Sequence, residues 1–370
     1  MTNNNDIIVI DPSVIGQSHL LVNTGFLSIL SSTYDRVFFV AEESHCYFIQ
    51  KYMTDLESAK IITYIPYSNN KNIPKILEMY TRSNRLNKIF FLNLEYALFI
   101  KINLKYLFKN KISLAWVLHS HLASISSRDL LTVIKNKLKL FLMFKIFSRN
   151  TFIVCGDRIR KNYIELSKRR YPIGNIHAVF HPVGINPTLI TANQKPYNET
   201  DGKIKINFSQ GWHKLTTSSR DLIREIDEND RIKSKFELVS KDQNQLTGEK
   251  KKIFTTDYID RINLIAQADL FLHIPTDRYS LQASGALMDC ILSKTPILGF
   301  RTDFSLEMEQ NIGKFGFFFD SEKEVIFFLE NSSISDVYGE IEKFKLNLCV
   351  AYSNVFRISL GQMNVLKKIW

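Results

Sequence analysis

The chain holds 370 residues, 45% of them apolar and 23% charged, which excludes a disordered or fibrous chain and exceeds what a single hydrophobic core usually serves. Its formal charge of +11 is unevenly spread: residues 1–180 carry 24 Lys+Arg against 12 Asp+Glu, and residues 181–370 carry 24 against 25. The basic first half therefore calls for an acidic partner, an anionic membrane surface or another polyanion.

The opening Met1–Asp6 is polar and runs straight into an apolar strand, so no secretory leader is expected. No apolar run is long enough to span a bilayer. The longest, Leu138 to Phe147, is interrupted by Lys139 and Lys145, and a cytoplasmic protein is expected. Short apolar runs then alternate with helical patterns: Ile7–Ile10, Val37–Val40, Ile61–Ile65, Ile89–Leu92, Leu114–Leu118, Phe152–Val154 and His177–Phe180 read as buried strands. Continuous apolar strands separated by helices specify a parallel sheet covered on both faces.

Several loops between these elements carry chemistry. The loop after the first strand, Asp11 to His19, contains Gly16, which permits a tight turn close to a ligand, then Gln17, and His19 opens the next helix. His19 is a candidate general base near neutral pH. Glu42 and Glu43 close the second strand, where carboxylates can orient hydroxyls, although solvated loop carboxylates are the simpler reading. His119 and His121 follow the fifth strand; a pair at i, i+2 could bind a metal, but no nearby carboxylate completes a site and none is expected. Leu131 to Arg149 carries five cations and no acid. Helical periodicity puts Lys135, Lys139, Lys145 and Arg149 on one face with Leu138, Leu142 and Ile146, leaving Ile134, Phe141, Met143, Phe144 and Phe147 for the core. A face mixing lysines with aliphatics suits an anionic leaflet, and residues 97–111 have the same character. No nucleic-acid module appears.

His181-Pro182-Val183-Gly184 breaks the alternation, and residues 184–203 form a polar linker. A second alternation follows: Ile204–Phe208, a helix from about Thr217 to Ile226, Phe236–Val239, Lys252–Phe254, Ala268–Ile274, Ile297–Leu298 and Gly316–Phe319. Between Asp269 and Pro296 a strand delivers the chain to a helix beginning near Ser284 and Gly285, where free N–H groups and the helix dipole make a phosphate site. The chain is helical after Ser321, with Asp336 to Trp370 long enough for two helices. Cys46, Cys155, Cys290 and Cys349 lack CxxC spacing and read as buried free thiols. The economical architecture is α/β, two doubly wound Rossmann-like domains facing across a cleft: residues 1–183, the linker 184–203, residues 204–350, and a C-terminal helix 351–370 that can cross back to the first domain.

Over Asp257 to Asp320 the sequence resembles the GT-B glycosyltransferases, and within them family 4 (group 1). Lys294-Thr295-Pro296-Ile297-Leu298 is similar to that family's Gly-Thr-Pro-Val-Ile, and Gly313-Lys314-Phe315-Gly316-Phe317-Phe318 to its Gly-x-x-Gly-Leu-Leu. The resemblance implies a nucleotide-diphosphate sugar in the second domain and an acceptor in the first. It also implies that Asp289 stands for the second glutamate of the E-x7-E motif, which holds the ribose, while Leu281 departs from the first, leaving Ser280 or Gln282 to meet the donor sugar. Ser209 to Lys214 occupies the place of the Gly-Arg-x-x-x-x-Lys element, with Gly211 in the turn and Lys214 as the diphosphate cation. His119 matches the histidine that contacts the donor sugar, with His121 as second choice.

The expected activity is metal-independent transfer of a sugar to a saccharide acceptor, polyprenyl-diphosphate linked, in bacterial surface polysaccharide (O-antigen or capsule) synthesis, with the nucleotide sugar as co-substrate and no cofactor. The protein would sit peripherally at the inner face of the plasma membrane, with Gly16, Gln17, Glu42 and His121 on the acceptor side. A nucleotide-sugar epimerase of the same fold and a catalytically silent scaffold are the alternatives.

Overall fold

The computed structural model describes residues 5–53, 57–83, 86–106, 112–118, 130–167, 175–185, 189–190, 202–208, 216–239, 257–275 and 283–369. They form two compact units, one mainly of Met1–Asn186 with Val355–Trp370, the other of Pro187–Tyr279 with Ser284–Asn354.

The first unit is a seven-stranded parallel sheet of β1 (Asp6–Ile10), β2 (Arg36–Glu42), β3 (Ile62–Tyr67), β4 (Lys88–Phe91), β5 (Ser113–Val117), β6 (Thr151–Val154) and β7 (Ile176–Ala178), in the order β3-β2-β1-β4-β5-β6-β7. Its helices are α1 (Leu20–Ser31), α2 (Glu43–Met53), α3 (Ile73–Ser83), α4 (Tyr96–Tyr106), α5 (Leu130–Phe141) and α6 (Asp157–Ser167). Strand β1, apolar from Ile7 to Ile10 after Asp6, is buried throughout because it is central in the sheet and covered on both faces. Strand order reverses between β1 and β4, so the crevice at their carboxyl ends is this unit's natural ligand position.

Aromatic packing holds the other half of the sheet. Trp116 stacks on Phe91 with ring centroids 3.6 Å apart and meets Phe99 edge-on. Its buried indole N–H donates to Asn150 Oδ1 at 3.0 Å, and Asn150 in turn donates to Asn103 Oδ1 at 2.6 Å. The break at residues 181–184 has a packing cause. That segment runs directly over α1: a Cβ at Gly25 would lie 2.5 Å from the Pro182 carbonyl, and one at Gly184 would lie 2.2 Å from the Thr24 carbonyl oxygen. Only paired glycines allow two backbones so close.

Helix α5 departs from its expected burial. Ile134 and Phe141, assigned to the core, are 55% and 40% exposed, whereas Met143, Phe144 and Phe147 are buried. The reason is a π-turn over Leu142–Ile146, which inserts extra chain into the helical ladder, so one 100° periodicity cannot describe the whole stretch. Helix α4 is mainly a packing helix, with Leu98, Phe99, Ile102 and Tyr106 buried, and its Lys105 is tied to Glu78 at 2.9 Å.

The second unit is a five-stranded parallel sheet of β8 (Ile204–Asn207), β9 (Phe236–Val239), β10 (Leu270–His273), β11 (Ile297–Phe300) and β12 (Gly316–Phe319), ordered β12-β11-β10-β8-β9. Its helices are α7 (Thr217–Glu228), α8 (Asp230–Lys233), α9 (Tyr258–Ala266), α10 (Gly285–Ser293), α11 (Asp303–Ile312), α12 (Glu322–Asn331) and α13 (Ile334–Ile369). Here the order reverses between β8 and β10, placing the crevice where those strands end. Local signals set the helix starts: the Thr216, Asn229, Asp257, Thr302 and Ser321 side chains each accept a backbone N–H of the turn that follows.

The two helices expected over Asp336 to Trp370 are one helix of 36 residues, because no proline interrupts it and its glycines, Gly339 and Gly361, are tolerated within it. Its last turns belong to the first unit, where Gln362 Oε1 accepts the Phe180 N–H at 2.5 Å and Ser359 Oγ donates to the Phe180 carbonyl at 2.9 Å. Cys349, on this helix, is exposed; Cys46, Cys155 and Cys290 are buried, and all four are free thiols. The expected strand at Lys252–Phe254 and most of the linker lie outside the described residues. None of the described helices is long and apolar enough to cross a membrane.

Candidate functional site

In the first unit the crevice between β1 and β4 is lined by a polar network. Asp11, at the exit of β1, is fully buried, and its Oδ1 accepts the N–H groups of Ser13 and Val14, each at 3.1 Å. Its Oδ2 accepts one hydrogen of the Asn23 amide at 2.5 Å, while the same nitrogen lies 2.9 Å from His45 Nε2. Since Asn23 donates there, Nε2 must accept. The His45 proton then sits on Nδ1 and donates to the Gly16 carbonyl at 2.7 Å. Tyr67, at the end of β3, donates its hydroxyl to the Asp11 carbonyl at 2.8 Å. Just past β4, Asn93 donates to Ser13 Oγ at 2.8 Å, tying the segments after the two strands together at the switch point.

This network places the expected residues of the loop. Gly16 adopts φ +61°, the left-handed conformation that favours glycine, and a Cβ there would meet nothing within 4 Å. Its N–H donates to Ser44 Oγ at 3.0 Å, and Ser44 donates to Glu42 Oε2 at 2.5 Å. Glu42 also accepts the His45 N–H at 3.1 Å. Burial pushes the Glu42 carboxyl up, but the Ser44 hydroxyl and the backbone N–H groups of Ser44, His45 and Gly16 outweigh it and leave the acid below its usual range. Gln17 is half-buried, and its carbonyl accepts the Leu20 N–H at 3.4 Å.

His19 caps α1 in the left-handed conformation, with φ 53°. It keeps contact with solvent, yet crowding by surrounding protein lowers its pKa from 6.5, with Asp11 raising it and His45 lowering it. The imidazole is therefore neutral at pH 7, the form in which it can take up a proton. His181, fully buried above α1, is held at about 4 by desolvation.

In the second unit, α10 begins at the crevice. Ser284 is its N-cap but makes no side-chain cap, so the first-turn N–H groups are not taken by that hydroxyl. Ser284 Oγ instead lies 2.9 Å from His273 Nε2, at the end of β10, with both residues 1% exposed. Burial drives the His273 pKa to about 4, so the ring is neutral. A Cβ on Gly285 would meet none of the described residues within 4 Å, so among them the helix start is open to close approach.

Asp289, one turn into α10, is 4% exposed. Its Oδ1 accepts the Tyr258 hydroxyl, and its Oδ2 pairs with Arg261 at 2.9 Å. Burial raises its pKa, while Arg261 and Tyr258 pull the other way. Any further donor to Asp289 must share these oxygens or displace a partner. Lys294 takes the left-handed cap at φ 54°, and Thr295 is fully buried with its hydroxyl on the Ile265 carbonyl at 3.1 Å.

His119, His121, Gly211, Lys214, Ser280, Leu281 and Gln282 lie outside the described residues. Asn23, Ser44, His45, Asn93 and His273 were not singled out from the sequence. The available signal was weak: a polar residue inside an apolar run, as His273 is in Leu270–Ile274, or one turn into an apolar helix, as Asn23 is. Among the described residues, no group of three or more His, Cys, Asp or Glu side chains could hold a metal ion.

No protein-family model matches the sequence, and no curated protein matches it either. Solved structures do match. A glycosyltransferase from Rickettsia africae is 10% identical, with 99% of each chain covered and a TM-score of 0.56. An E. coli trehalose-6-phosphate protein bound with UDP-2-fluoro glucose is 8% identical, again with 99% of each chain covered, and has a TM-score of 0.61. A UDP-glucose:anthocyanidin 3-O-glucosyltransferase in complex with UDP is 11% identical over 99% of this chain and 100% of that one, with a TM-score of 0.51. At such identities the likeness is one of fold: two Rossmann-like α/β units, the GT-B fold.

Proposed function

We propose that this GT-B chain is a glycosyltransferase that moves a sugar from a nucleotide-diphosphate donor to a saccharide acceptor. The observation that carries the reading is the pair of switch-point crevices. The one in the first unit holds a neutral histidine beside a buried aspartate, and the one in the second opens on a helix start bared by Gly285. Fold neighbours bound with UDP-2-fluoro glucose and with UDP support the donor class.

In the reaction the acceptor oxygen bonds to the anomeric carbon, and the bond from that carbon to the diphosphate breaks with its electron pair on the phosphate. The N–H groups at the start of α10, with Lys214, offset the leaving group's charge without a metal. If configuration inverts, His19 Nε2 or Nδ1 takes the acceptor proton; if it is retained, no protein base is obligatory. Asp289 receives the ribose by exchanging Arg261, whose side chain is 43% exposed and lies over the Tyr258 ring, for the two hydroxyls. Gly16, Gln17 and Glu42 stand on the acceptor side, with His119 and His121 beyond β5.

The acceptor is polyprenyl-diphosphate linked, of the kind used in bacterial surface polysaccharide synthesis, and the chain meets it at an anionic inner leaflet. Supporting this, α5 and the π-turn expose Ile134, Leu138, Phe141 and Ile146 beside exposed Lys135, Lys137, Lys145 and Arg149. Aliphatic and aromatic side chains can enter the headgroup region while each cation adds about 1 kcal/mol near anionic lipid.

Thermal denaturation with a panel of UDP-, GDP-, ADP- and dTDP-sugars tests the donor, since ligand at about 100 times its Kd adds about 2.7 kcal/mol. One donor should stabilise the chain and release nucleotide only when a saccharide is added. Silence across the panel would remove the reading.

A further inference from the structure

We propose that Ser44 and His45 are positioning residues that clamp the N–H and the carbonyl of Gly16 and thereby hold His19 in place for proton transfer. The inference rests on the reading of His19 as the base, and it concerns residues that reading leaves without a role. Ser44 Oγ accepts the Gly16 N–H at 3.0 Å, and His45 Nδ1–H donates to the Gly16 carbonyl at 2.7 Å. The loop is thus gripped at one residue by two adjacent side chains at the start of α2.

Each grip is itself braced. Glu42 Oε2 takes the Ser44 hydroxyl at 2.5 Å and the His45 N–H at 3.1 Å, orienting serine and backbone together. Asn23 fixes the His45 tautomer from α1 and is held in turn by Asp11. Asp11, Asn23 and His45 are all 0% exposed, and the Asn23 Oδ1 finds no hydrogen-bond partner among the described residues. Burying so much polarity costs stability. A packing role alone would be better served by apolar side chains.

What the network maintains is unusual backbone. Gly16 and His19 both sit in the left-handed region, at φ 61° and 53°, three residues apart. For a histidine that conformation costs about 1–2 kcal/mol, so the surrounding structure must impose it. The charged or titratable groups that act on His19 are Asp11 from β1, His45 from α2 and His181 from the segment over α1. Fixing the loop fixes the ring's distance from all three.

Three variants and two readouts that need no substrate test this. Ser44→Ala removes one grip. His45→Gln removes the Nδ1 donor, whereas His45→Asn places an amide N–H where Nδ1–H was. Peptide-resolved hydrogen exchange of residues 12–19 should rise about tenfold in Ser44→Ala and His45→Gln and stay within about threefold of the parent in His45→Asn, with peptides of the second unit unchanged. The His19 ring, followed by NMR in histidine-labelled protein, should titrate closer to 6.5 in the two loosened variants and near the parent value in His45→Asn. Unchanged exchange in all variants would overturn the proposal, as would faster exchange with an unmoved His19 titration. Should His45→Gln fail to fold, Ser44→Ala decides alone. A chain that binds no nucleotide sugar yet shows these shifts would fail as a transferase while keeping the clamp.

Discussion

Acid should destabilise this protein through two buried histidines, one in each unit. His181 and His273 are each 1% exposed, and desolvation brings both from 6.5 to about 4. A histidine whose folded pKa is depressed resists protonation that the unfolded chain accepts, so stability is full above pH 6.5 and is lost as pH falls toward 4. One pKa unit corresponds to about 1.36 kcal/mol, so lowering the pH from 7.5 to 5.0 should cost about 2 kcal/mol per histidine. His19 and His177, lowered by the same desolvation, and the raised carboxyls Asp269, Asp289 and Glu309 are common to parent and variants, so the comparison between them isolates each ring. Urea unfolding at the two pH values, on the parent and on His181→Asn and His273→Gln, measures it as a difference between differences, so any cost common to both pH values cancels. Each variant should shrink the acid loss by about 2 kcal/mol, on the transition of its own unit. If both variants kept the full loss, the rings would not be held neutral, and the Ser284–His273 contact would need another description.

Other perturbations follow from the same geometry. Asp289→Ala leaves the Tyr258 hydroxyl, in a residue 8% exposed, without its acceptor, while Arg261 can rehydrate; the expected cost is about 2–3 kcal/mol by chemical denaturation, and less for Asp289→Asn, which keeps an acceptor. Gly25→Ala drives a Cβ to 2.5 Å from the Pro182 backbone and should cost about 2 kcal/mol or more in the same assay, with faster hydrogen exchange across residues 179–184. Lys294→Gly relieves a left-handed lysine at the end of α10 and should add about 0.5–1 kcal/mol, seen as a higher midpoint in thermal unfolding. Charge reversal at Lys135 and Lys145 should abolish cosedimentation with anionic vesicles if α5 meets the membrane, and binding that ignored both charge and salt would refute that docking face.

Strand placement was legible in the sequence because buried parallel strands are continuous apolar runs, and Ile7–Ile10 or Val37–Val40 admit no other reading between helical segments. The loop residues Gly16 and His19 were legible for a similar reason: glycine and histidine just after a strand stand out against what surrounds them. The outward turn of Ile134 and Phe141 was not, since a π-turn has no composition of its own and shifts the register of everything around it. Nor was the continuity of α13, where the absence of proline permits one helix but does not require it.

By itself, then, the sequence determined the alternation of strand and helix, the two-unit division and the presence of polar residues where strands end, because these depend on local periodicity and on backbone chemistry. Only the tertiary structure decided which polar groups meet. Asn23, His45 and Gly16 come together because β1, β2 and the helices after them are neighbours in the sheet, and Tyr258, Arg261 and Asp289 do so because α9 and α10 pack side by side. Hydrogen bonds between residues that far apart in the chain are set by strand order and register, which no single stretch of sequence encodes.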